Sequence, residues 1–98
     1  MTRTPADDCA TMAELRTQID ALDAELIALL AERATYIDRA IALKPGEGIR
    51  ARAEDRVAEV VANVRALAQA RDLDPDLAER LWSELIEWSI ARERREID

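Results

Sequence analysis

TMAELRTQIDALDAELIALLAERATYIDRAIALKP, residues 11–45, decides the fold. It opens with Thr11-Met12-Ala13-Glu14, a capping-box pattern in which the threonine oxygen accepts a backbone N–H and the glutamate reaches back to the cap. From there to Lys44 the chain has neither Gly nor Pro, and Pro45 ends the run. One helix of about 33 residues is the direct reading, ~50 Å long at the α-helical rise. Leu15, Ile19, Leu22, Leu26 and Leu29 recur at alternating four- and three-residue steps, which is coiled-coil spacing. Such a helix is longer than a globule of 98 residues is wide, so it needs a partner along its length.

The next place in that series belongs to Arg33. An arginine on an apolar seam must snorkel or find an anion, since an unpaired charge in a dry interface costs several kcal/mol. Two readings fit: an ion pair with a carboxylate from a neighbouring helix, or a site for an anionic ligand. Lys44 lies about three turns further on, so it projects from nearly the same face, with Tyr36, Ile37 and Ala40 between. The two Cα atoms are then ~16 Å apart, and side chains reaching ~6 Å each can grip a small anion between them. Taken alone, Lys44 also suits the negative end of a helix dipole. Arg16 is ~25 Å from Arg33 along the same helix, too far to share a small ligand within one chain. Two long helices paired antiparallel would bring Arg16 of one copy to Arg33 and Lys44 of the other, and otherwise Arg16 is a solvated residue near a helix start.

Beyond Pro45 the stretch PGEGIRA, residues 45–51, holds both glycines of the chain and reads as a mobile loop. A second helix is expected over 52–71, with Glu54 and Asp55 in its first turn and Val57, Val60, Val61, Val64 and Leu67 on one face. A third is expected over 74–95, opened by Asp74 as cap and Pro75 in the first turn. The expected architecture is therefore all-α: one domain over residues 1–98, with an N-terminal arm over about 1–10 and three helices over 11–44, 52–71 and 74–95. No strand signal and no internal repeat is visible. In the third helix Ile86, Ile90 and Ile97 form a stripe whose missing place is filled by Glu93, with Ser89 one turn earlier on the same side. Glu93 is either a buried carboxyl or a solvated residue of the charged tail RERRE.

Composition narrows the chemistry. A net charge of −7 argues against nucleic acid or an anionic membrane as the main partner, because both need a basic face. The opening residues lack the apolar run of a signal peptide and no stretch approaches the ~20 apolar residues of a membrane span, so a cytoplasmic location is expected. Cys9 stands alone, which excludes an intrachain disulfide. The chain has no histidine, and with that go the usual general base, the usual zinc ligand and the hydrolytic triads. Any chemistry must run on Arg, Lys, Glu, Asp and hydroxyls.

The chain resembles the all-helical chorismate mutase family, and within it the branch that includes isochorismate pyruvate lyases. The resemblance is carried by ELRTQIDALDAELIALLAER in the first helix, Lys44 at its end, EDRV opening the second, LDPDLAERLW leading into the third and EWSIARE near its end. It implies an intertwined helical homodimer whose two sites each take one arginine from the other chain. Arg16 would be that cross-subunit arginine and Arg33 the in-chain one, both binding carboxylates of a chorismate-type dianion. Lys44 would contact the ether oxygen and a carboxylate, and Ser89 and Glu93 match a serine and a glutamine on the last helix. Glu93 in place of glutamine donates to the ether oxygen only when protonated, so activity should fall as pH rises. Family mutases also carry an arginine and a glutamate at the start of the second helix, where this chain has Glu54 and Asp55. Asp55 is placed to hold the substrate hydroxyl, and the arginine is missing or supplied by Arg50 or Arg52.

The implied reaction is the pericyclic conversion of chorismate to prephenate, which needs no nucleophile, metal or redox cofactor. It needs the enolpyruvyl chain held over the ring and negative charge stabilised on the breaking ether oxygen. The same cationic cage would serve the lyase reaction, isochorismate to salicylate plus pyruvate. The N-terminal TP-x-x-DC arm, EDRV and W-x-IA point toward the lyase branch, and Ser89 points toward the mutases. A reading of another class is a helical dimerisation module with no catalysis.

Overall fold

The computed structural model describes residues 3–98. Three helices, α1 (Met12–Leu43), α2 (Glu54–Ala70) and α3 (Pro75–Arg94), are joined by short connections, and a 3-10 turn at Ala6–Asp8 precedes them. Among the described residues there is no strand. The chain divides into two compact units, one up to Thr35 and one from Tyr36 to Asp98, with the boundary inside α1.

In the first unit the capping box forms. Thr11 Oγ1 accepts the Glu14 N–H at 3.1 Å, and Glu14 Oε2 accepts the N–H of Ala10, one residue before the cap, at 2.7 Å. The arm lies along the start of α1, with the Thr4 N–H donating to Gln18 Oε1 at 3.0 Å and Arg3 paired with Glu25 at 2.5 Å. No residue of α1 is buried, and Ile19, Leu22, Leu26 and Leu29 of the apolar series are all exposed.

In the second unit α2 and α3 pack as an antiparallel hairpin. Arg65 of α2 reaches Asp76 and Glu79 at the start of α3, whereas Arg52, before α2, reaches Glu87 further along it. The turn between them has Asp72 at φ 57°, and the Leu73 N–H returns to the Ala68 carbonyl at 2.9 Å, closing α2 with a left-handed residue. Asp74 caps α3 by accepting the Asp76 N–H at 2.9 Å, ahead of Pro75 in the first turn. Ala51, Ile86 and Ile90 form a buried cluster against which Val57, Val60, Val61 and Ile97 pack.

The connection after α1 carries a 3-10 turn at Pro45–Glu47. Gly48, at φ 68°, occupies the left-handed region that a residue without Cβ enters freely. The carbonyl of Lys44 accepts the N–H groups of Glu47 and Ile49 at 3.1 and 2.9 Å, so the loop folds back on the last residue of the helical run.

Candidate active site

The second unit brings Lys44 and Glu93 together. Lys44 follows the last residue of α1, and its Nζ lies 2.7 Å from Glu93 Oε1 and donates to the Ala51 carbonyl at 2.9 Å. The Glu93 residue is only 4% exposed, and its Oε1 is shut off from solvent with the Lys44 ammonium as counter-charge. That contact is an ion pair by distance without the alignment of a hydrogen bond. Of the two positions open to Glu93, the solvated tail is therefore excluded. The stripe of Ile86 and Ile90 continues through it into the interior of the hairpin.

Ser89, one helical turn before Glu93, is buried as well, and its hydroxyl donates to the Leu85 carbonyl at 2.8 Å. Lys44, Ser89 and Glu93 thus lie at or near the interior of the second unit, where a charge gains most from a partner of opposite sign.

Arg16 and Arg33 of α1 belong to the first unit, where Arg16 is exposed and Arg33 half-buried. Asp55 stands exposed in the first turn of α2. Arg52 forks both amine-to-carboxylate contacts of one nitrogen onto Glu87 of α3, and its Nε lies 4.0 Å from Glu54. Arg50 shares a surface depression with Arg52, Glu54, Arg94 and Asp98. Neither loop arginine pairs with Glu93 among the described residues.

A model of the family described as chorismate mutase type II matches residues 15–94, a span that contains Arg16, Arg33, Lys44, Asp55, Ser89 and Glu93. The chain belongs to the chorismate mutase type II family. It is also 31% identical over 91 residues to an isochorismate pyruvate lyase of Pseudomonas aeruginosa, covering 93% of this chain and 88% of that protein. Members of this family are enzymes acting on small chorismate-like molecules, and the all-α architecture agrees with the family fold. No helix among the described residues is long and apolar enough to cross a membrane.

Several contacts that shape this chorismate mutase-like unit were not foreseen. Asp38 near the end of α1 takes a bidentate pair from Arg92 of α3, Nε to Oδ1 at 2.5 Å and Nη2 to Oδ2 at 3.1 Å, while the guanidinium lies 5.3 Å from the Trp88 ring centre. The hydrogen-bonded Arg92 holds the Asp38 carboxyl below its ordinary value, and Arg52 does the same to Glu87. An alanine in a loop carries no sequence signal of burial, yet Ala51 is 2% exposed and its carbonyl accepts the Lys44 ammonium.

Proposed function

We propose that the protein is a chorismate mutase, converting chorismate to prephenate in a site held between two copies of the chain. The observation that carries the proposal is the Lys44 ammonium held against buried Glu93, in a chain of this family. Arg33 of one chain and Arg16 of the partner subunit bind the two carboxylates, whose planar geometry matches a guanidinium fork. Lys44 meets the ether oxygen and one carboxylate, so the arriving dianion competes with Glu93 for the same ammonium. Glu93 flanks the same ammonium beside the ether oxygen, Ser89 lines the wall, and Asp55 takes the ring hydroxyl. No step requires a metal or cofactor, because the rearrangement breaks one C–O bond and forms one C–C bond within a single molecule. Catalysis rests on folding the substrate into its reactive conformer and on fixed positive charge at the oxygen that becomes negative.

A second reading is favoured by the relative: isochorismate pyruvate lyase, in which the same cage cleaves isochorismate to salicylate and pyruvate. Both readings place the enzyme in the cytoplasm as a homodimer, the apolar series of α1 being covered by a second copy. A bicyclic dicarboxylate mimic of the rearrangement transition state separates both from a dimerisation module without catalysis. The enzyme gains several degrees of melting temperature at mimic concentrations well above Kd, whereas a module gains none.

A further inference from the structure

Ala51 stands at a junction of three segments. It is 2% exposed and clusters with Ile86 and Ile90 of α3. Its N–H donates to the Asp98 carbonyl, and Ile97, the residue before Asp98, packs on the same cluster. Its own carbonyl accepts the Lys44 ammonium at 2.9 Å. The other end of the loop is closed on the same lysine, through Glu47 and Ile49 N–H groups that donate to the Lys44 carbonyl. Lys44 is thus gripped at its backbone by the start of the loop and at its ammonium by the end of it.

An ammonium has three protons to donate. With the Ala51 carbonyl accepting one of them and the Glu93 carboxylate as counter-charge at 2.7 Å, the ammonium of a flexible side chain that would otherwise sample many rotamers is held in one place. We propose that Ala51 is a positioning residue for Lys44, held in place by the strap of Ile97 and Asp98, which aims the lysine without touching substrate. The proposal rests on the role given to Lys44 above. Ala51 is almost fully buried in that cluster, and extra methyls in a packed interior typically force off-rotamer side chains and backbone shifts. A larger residue at 51 therefore pushes the carbonyl away from the ammonium.

Lys44 is the only lysine in the chain, so 15N-lysine labelling reports a single side-chain ammonium. In the full-length protein at low temperature its protons should exchange slowly with water. In Ala51→Val they should exchange at the rate of a solvated lysine, while kcat falls about 10- to 100-fold, KM changes less and helical content stays. Ala51→Gly, which keeps the carbonyl without added bulk, should retain the slow exchange and most of the turnover. If Ala51→Val does not fold, Ile97→Ala loosens the strap and should move both readouts in the same direction by a smaller amount. Slow exchange and unchanged kcat in folded Ala51→Val, or fast exchange in the unaltered protein, would overturn the proposal. Fast exchange in Ala51→Val with unchanged turnover would leave the positioning intact and overturn the role of Lys44 instead.

Discussion

At the scale of the residue, the site turns on a buried ion pair. Removing one member leaves the other charge uncompensated, which typically costs about 3–5 kcal/mol, whereas removing both charges with similar volume is close to neutral. Lys44→Met should accordingly destabilise the fold, and Lys44→Met combined with Glu93→Gln should recover most of that loss in urea titrations. Both variants should lose turnover by about 100-fold or more, since the charge at the ether oxygen is gone from each. Glu93→Gln alone puts an N–H donor beside that oxygen, so it should keep most of the turnover that Lys44→Met loses. A loss as deep as that of Lys44→Met would show that Glu93 acts only through its charge on Lys44. The anomaly of Glu93 was visible as a gap in an apolar stripe, yet burial and solvation predict the same local letters. Its fate is settled by Lys44, far away in sequence, arriving at the same point.

At the scale of the element, the starts of α1 and α3 were written in local chemistry. Thr11, Glu14 and Asp74 act through neighbours a few residues away, and their side chains make the expected backbone contacts. The contacts between elements were not legible: Asp38 with Arg92 and Arg52 with Glu87 join residues whose adjacency exists only once the helices pack. Asp72 offers a direct test of the α2 terminus. Its φ of 57° is sparsely populated by residues with a Cβ, so Asp72→Gly should raise stability by roughly 0.5–1 kcal/mol, read as a higher melting temperature. The Asp38–Arg92 pair predicts an acid limb. A carboxyl whose folded value lies below its unfolded one binds protons more readily when unfolded, so its contribution is present above the ordinary carboxylate range and is lost as pH falls through the lowered value. Asp38→Asn should remove that part of the acid-side slope and leave stability near neutral pH slightly lower. Because the pair is exposed, the change is modest.

At the scale of the whole molecule, an α1 with no buried residue requires a partner, and the proposed partner is a second copy. Leu26→Glu, on the exposed series, should shift the protein toward monomer in sedimentation velocity and reduce turnover with it, because each proposed site draws Arg16 from the other chain. If Leu26→Glu sediments like the unaltered protein, the series of α1 is not the dimer seam. The long helix and its stripe were legible from periodicity, whereas the use of Arg33 as pairing residue or ligand-binding residue was not, since both need a cation in the same place. Membership of the chorismate mutase type II family narrows the substrate to a chorismate-like molecule and leaves two products to choose between. The most direct test is to incubate the purified protein separately with chorismate and with isochorismate and identify what forms. Prephenate from chorismate, lost in Arg33→Ala without loss of helical content, is the predicted result; salicylate and pyruvate from isochorismate with no prephenate would contradict it.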